Sequence, residues 1–285
     1  MDKALLQHLQ AELEIKFTKT EQVLGGDINQ AFLLHSTNTK VFLKMNSIDK
    51  ADMFEKEFRG LELLLSAKAI AVPQPLKHGL FEDKIFLVTQ YIDKGIAAPD
   101  FWRRFAQQLA ALHRNTAEAF GLDHDNYIGS LPQQNHKSNS WTEFYAEQRI
   151  LFLIKKAFDD KKCESSDTKM AERLCNKLDS LFPEEPPALL HGDLWSGNYL
   201  IGKEGEPVIF DPAIYYGHRE MDLGMMLLFG GFDNSFYNFY PEEFPLEKNW
   251  RARTDLTQLY PLLVHMNLFG SHYYNSVRST LKKYN

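Results

Sequence analysis

The chain has 285 residues, 44% of them apolar and 25% charged, the composition of an ordinary folded protein with room for one large or two ordinary domains and a core that needs no disulfide or metal. The charge balance, 32 − 38 = −6, comes with no basic run of five or more, which weighs against nucleic acid as a partner. Leu223 to Phe232, ten residues, is the longest uncharged apolar stretch at a helical pattern, whereas a membrane span needs about twenty. Asp2, Lys3, Glu12 and Glu14 stand where a signal peptide would need an apolar run, and the only cysteines are Cys163 and Cys175. A cytoplasmic protein away from membranes is expected.

In chain order, Val23–Leu24, Ala31–His35 and Val41–Met45 read as strands separated by Gly25-Gly26 and by Thr37–Lys40. Asp52 to Ala67 reads as a helix, with Phe54, Phe58, Leu61 and Leu65 at i, i+4, i+7 and i+11. Val72–Pro75 breaks it, Lys84–Thr89 is a further strand, and Gln90 to Asp100 is a connector. Helices then dominate: Phe101 to His113, Trp141 to Phe158 and Thr168 to Leu181. Leu189–Leu190 and Val208–Phe210 flank a loop, and the remainder is helical apart from an aromatic-rich break over Phe236 to Phe244. The expected class is α+β: a small antiparallel-sheet lobe with one long helix over 1–89, a hinge at 90–93, and a larger, mostly helical lobe over 94–285.

His191-Gly192-Asp193-Leu194-Trp195-Ser196-Gly197-Asn198 is the most informative segment, followed by Asp211 eighteen residues after Asp193. Phosphoryl transfer needs a carboxylate beside the attacking hydroxyl and oxygen ligands for Mg²⁺ on the phosphates of ATP. An Asp with an Asn five residues on, then an Asp after a strand, supplies those groups: Asp193 as base, Asn198 and Asp211 as metal ligands. Kinase-like folds also hold the phosphates with a strand Lys oriented by a helix Glu. Lys44 ends Val41-Phe42-Leu43-Lys44, and Glu57 follows thirteen residues later. With Phe54 at 0° and about 100° per residue, Glu57 falls at about −60°, on the flank of the apolar stripe. A carboxylate there is expensive unless paired, and Lys44 is the obvious partner. Gly25-Gly26 would be a phosphate-covering turn or a plain hairpin. Neither a Walker-type P-loop nor G-x-G-x-x-G occurs.

Leu190 to Asn198, Phe210-Asp211-Pro212-Ala213-Ile214-Tyr215-Tyr216-Gly217-His218-Arg219-Glu220-Met221-Asp222-Leu223, Gly25 to Asn29, and Trp141-Thr142-Glu143-Phe144 together resemble the fructosamine (ketosamine) kinases, over nearly the whole chain. The resemblance implies a protein-kinase-like bilobal fold that uses ATP with Mg²⁺. It also implies phosphorylation of the sugar of ketosamines, free or on protein lysines, after which the adduct decomposes and frees the amine. Carried over by position, Asp193 is the proton acceptor, and Gln90-Tyr91-Ile92-Asp93 resembles the adenine-binding hinge. Many relatives have Cys where this chain has Asp27, so no thiol switch is expected there.

Other residues admit two readings. Trp195 either stacks on a sugar face or packs its own loop. His218, with Arg219 and Glu220, either contacts substrate or belongs to an internal ion-pair cluster. His113 reads as a buried, hydrogen-bonded histidine, and Asp222 as a cap that bonds the catalytic-loop backbone. Only ten residues lie between Asp211 and Asp222, with no D-F-G or A-P-E, so a peptide platform has no room and a small acceptor fits better. The competing functions are a kinase of the same fold acting on an aminoglycoside or amino alcohol, and a non-catalytic nucleotide-binding module.

Overall fold

A computed structural model describes residues 1–23, 29–48 and 52–285, and the chain divides into two units, one of Met1–Phe101 with Leu200–Asp211, the other of Trp102–Tyr199 with Pro212–Asn285. The first begins with α1 (Lys3–Leu13), β1 (Lys19–Val23), β2 (Gln30–His35), β3 (Lys40–Ser47), α2 (Met53–Ala67), β4 (Pro75–Phe81) and β5 (Lys84–Gln90). Its five strands form one antiparallel sheet in the order β1-β2-β3-β5-β4. Two-residue alternation sends Val41, Leu43 and Met45 of β3 into a core with Phe32, Leu34, Phe86 and Val88, which Leu5 and Leu9 of α1 close. Lys44 therefore belongs to the other face. There α2 packs with β4 and β5. The most buried positions of α2, Phe54, Leu61 and Leu64, lie on either side of Glu57. The stripe is thus centred on Glu57, whereas the sequence pattern set that residue at its flank.

The second unit contributes α3 (Phe101–His113), β6 (Asn126–Ile128), β7 (Leu131–Gln133), α4 (Trp141–Tyr145), α5 (Phe152–Asp159), α6 (Ser165–Cys175) and β8 (Ala188–Leu190). A hairpin of β9 (Tyr199–Ile201) and β10 (Pro207–Ile209) follows. Backbone bonds from Gly95 N–H to the Ile201 carbonyl and from Ile209 N–H to the Ala71 carbonyl, both 3.0 Å, tie it into the first unit. The second unit resumes with β11 (Tyr215–Gly217), α7 (Glu220–Phe229), α8 (Phe236–Glu243), α9 (Thr254–Phe269) and α10 (Tyr274–Lys283). Among the described residues no helix is long and apolar enough to cross a membrane.

Several elements depart from expectation. The aromatic run that was read as a break is α8: Phe236, Tyr237 and Tyr240 share its buried face, and Pro241 falls near its end. β4 and α1 had no expected counterpart. β4 is an edge strand that begins at a proline and carries a register irregularity, while α1 is started by the Asp2 side chain accepting from Ala4 N–H. The helix expected over Trp141 to Phe158 is interrupted by a π-helical turn, Ala146–Leu151.

α7 is buried almost all round and packs against α9. Gly224 makes that approach possible, since a Cβ there would meet Thr257 Oγ1 at 2.2 Å. Gly224→Ala is expected to destabilise the protein by about 1–3 kcal/mol through overpacking, read as a lower denaturation midpoint, with no direct contact to the residues of the candidate site.

Candidate active site

In the first unit, Lys44 Nζ donates to Glu57 Oε1 at 2.7 Å and also to Asp211 Oδ1. The sheet register aims the lysine, α2 supplies Glu57, and the β9–β10 hairpin delivers Asp211 with left-handed backbone, φ 57°. Such a conformation is uncommon for a residue with a Cβ, and Asp tolerates it better than most. Burial alone would drive the proton off Lys44, but the charges of Asp211 and Glu57 outweigh it and hold the ammonium above the ordinary lysine range. Glu57 is pushed up by its own burial, and Lys44 offsets this only in part.

In the second unit, Asn198 Nδ2 donates to Asp193 twice, to its carbonyl at 2.8 Å and to Oδ2 at 3.1 Å. The loop that carries them is set from behind. Asp222, in the first turn of α7, accepts the N–H groups of His191 and Gly192, both at 2.9 Å. Gly192 has φ +81°, and a Cβ there would fall 2.0 Å from the Ala213 carbonyl oxygen, so this turn of the H-G-D segment demands glycine. Asp222 also meets His113 Nε2 at 3.1 Å, and His113 Nδ1 meets the Tyr240 hydroxyl at 2.7 Å. Burial would raise the Asp222 carboxyl, but the bonds and charge of His113, His191 and Gly192 outweigh it and hold it below the ordinary carboxylate range.

The remaining expected residues are distributed as follows. Lys44, Glu57 and Asp211 are brought together, as are Asp193 and Asn198. Gln90 ends β5, its N–H bonded to the Gln74 carbonyl at 2.8 Å; Tyr91 N–H reaches the Lys40 carbonyl at 3.4 Å, and Asp93 pairs with Lys40 at 2.5 Å. Ile92 follows, half-buried. Gly25, Gly26 and Asp27 lie outside the described residues. Trp195 is 40% exposed, with its ring over Gly197 and edge-on to Phe229 at 6.3 Å. His218 is fully buried among Trp141 and Phe182, and burial lowers it to about 4. Beside it Arg219 forks onto both Glu185 oxygens at 2.8 Å, and Arg253 pairs with Glu220. These are the internal ion pairs weighed for this cluster, and they leave His218 on the inside of the unit. Tyr240, in an aromatic run that reads from sequence as core packing or the lining of an acceptor pocket, lies on the buried face of α8 and meets His113 there.

The donors expected for Mg²⁺ suit that ion. Asp211 offers carboxylate oxygens, and Asn198, whose Nδ2 is engaged by Asp193, presents its amide oxygen on the other branch. Both are hard oxygen donors, and Mg²⁺ takes one or two protein ligands together with phosphate and water rather than an all-protein cage. No group of three or more His, Cys, Asp or Glu arranged to hold a metal occurs among the described residues.

The family model for fructosamine kinase matches residues 1–285. A Synechocystis protein named a probable ketoamine kinase is 39% identical over 94% of this chain and 90% of its own. The chloroplastic protein-ribulosamine 3-kinase of Arabidopsis thaliana is 39% identical over 94% and 83%. A solved Thermobifida fusca structure named for fructosamine-3-kinase superposes with a TM-score of 0.89 at 34% identity, covering 100% of this chain and 99% of that one. An aminoglycoside phosphotransferase, at 14% identity and a TM-score of 0.68 over 98% of both chains, shares the protein-kinase-like fold.

Asp222 makes a pH-dependent contribution. A carboxyl depressed in the folded state stabilises it fully above its unfolded value, about 3.9, and the contribution is lost as pH falls through the folded value. Asp222→Asn is therefore expected to cost about 3–5 kcal/mol at pH 7. The gap between the two proteins in denaturation experiments should narrow below about pH 4.

Proposed function

The chain belongs to the fructosamine kinase family, and from that membership we propose that it transfers the γ-phosphoryl group of ATP to a sugar hydroxyl of a ketosamine, carried on a small amine or on a protein lysine. The phosphorylated adduct then decomposes and releases the amine, so the outcome is deglycation. The observation that carries this reading is Asp193: a carboxylate bonded by Asn198 at 3.1 Å, on a loop whose backbone Asp222 pins. A base for an incoming hydroxyl needs a fixed direction and partial access, and it has both.

In the step itself, the acceptor oxygen bonds to the γ-phosphorus as the bond to the β–γ bridging oxygen breaks. The hydroxyl proton passes to Asp193, and ADP leaves with the bridging oxygen. Lys44, kept charged by its carboxylates, binds the phosphates. Asn198 and Asp211 would hold Mg²⁺, which when bound neutralises phosphate charge. The Gln90 carbonyl and Ile92 N–H pair with adenine, in the stretch that Tyr91 and Asp93 complete. Trp195, exposed two residues beyond the base, stacks on the apolar face of the sugar. An aminoglycoside or amino-alcohol acceptor has no support beyond shared fold.

Ribulosyl-, erythrulosyl- and fructosyl-lysine incubated with Mg-ATP should each be examined by mass spectrometry for the gain of one phosphoryl group. We expect a gain on at least one, reduced by about 10²–10⁴-fold in Asp193→Asn. No gain on any of them overturns the acceptor assignment. In steady-state kinetics, Trp195→Ala is expected to raise KM for the acceptor about tenfold while KM for ATP stays put; an unchanged acceptor KM assigns the ring to loop packing.

A further inference from the structure

Arg149 heads the large side chains that are fully buried among the described residues. It sits in the π-helical turn Ala146–Leu151, an irregularity that usually marks a functional or constrained place in a helix. The other deeply placed arginines of this unit answer carboxylates, Arg219 with Glu185 and Arg253 with Glu220. Arg149 does not. Among the described residues its guanidinium is met only by neutral groups. The rings of Phe144, Tyr215 and Tyr260 stand 4.5, 4.3 and 5.1 Å from Cζ. Nη1 donates to the Gln134 and Gln148 carbonyls, and Nη2 to Asn135 Oδ1 at 2.8 Å, while Nε is buried without a partner. A cation in that setting is a costly way to fill space, because an apolar side chain would pack the same volume without desolvation.

One branch of the bonds leading away from Arg149 runs to the backbone at Ala213-Ile214; Asn135 Nδ2 also donates to the His124 carbonyl at 3.2 Å, which helps fix the same amide. Asn135 Nδ2 donates to Asn126 Oδ1 at 2.8 Å, and Asn126 Nδ2 donates to the Ile214 carbonyl at 2.8 Å. Gln133 Nε2 donates to the same Asn126 oxygen at 2.8 Å and to the Ala213 carbonyl at 3.0 Å, while the Tyr260 hydroxyl donates to Gln133 Oε1 at 2.6 Å. Three amide side chains thus take their orientation from the guanidinium and a phenol, and two of them grip the backbone at Ala213-Ile214. That backbone is the floor of the loop that carries Asp193. Ala213 N–H donates to the His191 carbonyl at 2.9 Å, and the Ala213 carbonyl is the group against which Gly192 is packed.

We propose that Arg149 is a positioning residue: through Asn135, Asn126 and Gln133 it fixes the Ala213-Ile214 strap beneath the His191–Asp193 loop, and so sets the direction of the Asp193 carboxylate. The rate consequence rests on the kinase reading above; the structural one does not. Asp222 holds the loop by its N–H groups at His191 and Gly192, whereas the strap holds the opposite side, at the His191 carbonyl. The two supports act on opposite sides of a loop that the β8–β11 pairing already anchors at Leu190. Asn135 shows the direction of dependence, because its oxygen is engaged by the guanidinium and its nitrogen is thereby aimed at Asn126.

Arg149→Met keeps the volume and removes the five donors; Gln133→Met removes one grip and leaves Arg149 in place. At a temperature where circular dichroism reports both folded, each is expected to lower kcat about tenfold to a hundredfold with KM for ATP within about twofold. The double variant should be little worse than the worse single, since both act through one strap. Hydrogen exchange at the Ala213 amide should quicken in both. A folded Arg149→Met with native kcat and native Ala213 exchange overturns the proposal, and so does a kcat loss that follows the unfolded fraction alone. Should Arg149→Met fail to fold, Gln133→Met decides by the same two readouts. If the native protein transfers no phosphoryl group to any ketosamine, the kinase reading has failed, and the Ala213 exchange still decides whether the strap exists.

Discussion

A carboxylate or an ammonium cannot be left alone in a protein interior, and meeting that constraint arranges each unit of this chain. In the first, an ammonium on the inner face of a five-stranded sheet is tolerable because a helix glutamate and the aspartate at the end of a hairpin face it. Glu57 needs Lys44 as much as Lys44 needs Glu57: burial works against the charged form of each, and the opposite charge beside it works the other way, outweighing burial at the ammonium and offsetting it in part at Glu57. In the second unit a single buried carboxylate, Asp222, is met by two backbone N–H groups and a histidine. Meeting it requires the backbone to turn where His191 and Gly192 stand. The loop conformation is a consequence of satisfying that charge.

The parts of this arrangement that were legible in the sequence are those where a residue type is chemically unusual for its position. A lysine within an apolar strand, a glutamate on an apolar helix face, and H-G-D followed by Asn and by D-P all announce a constraint, because each would be selected against without one. The periodicity of α2 was read as a stripe through Phe58 and Leu65, but the face centres on Glu57. A charged residue scores as polar in any hydrophobic pattern, so the pattern shifts away from it. The same bias hid Arg149, which on an ideal helix would fall at about 80° from Trp141, at the edge of the apolar arc. The π-helical turn over 146–151 departs from that ideal period, and Arg149 is buried within it. No window of sequence encodes that departure.

β4 and α8 were missed for a related reason. Both contain proline, which local reasoning treats as a terminator. In β4 the proline comes first, on an edge strand that, among the described residues, pairs on one side only. In α8 it lies after the aromatic residues that anchor the helix, and their burial holds the helical turn that the proline by itself would not favour. Tertiary burial overrides local preference in both cases, and Tyr240, which completes the His113 pair behind Asp222, is found only once that override is known.

The ten residues between Asp211 and Asp222 bring these constraints to bear on specificity. Every stretch of that interval is spent on support. Ala213 bonds the His191 carbonyl, Tyr215 to Gly217 pair with Ala188 to Leu190, and His218 to Glu220 enter a buried ion-pair cluster as α7 begins. A segment so fully bonded has no spare length to swing out, to carry a regulatory phosphate or to form a platform for an extended peptide. In the proposed kinase, a segment committed in this way leaves acceptor recognition to side chains that are not structurally engaged. Two residues beyond Asp193, the proposed base, Trp195 is such a residue: its ring is exposed, lies over Gly197 and stands edge-on to Phe229. On the proposed reading, an apolar ring face next to a carboxylate would suit a compact polyhydroxy acceptor with one apolar side, the ring meeting a C–H face while the carboxylate takes a hydroxyl at its edge.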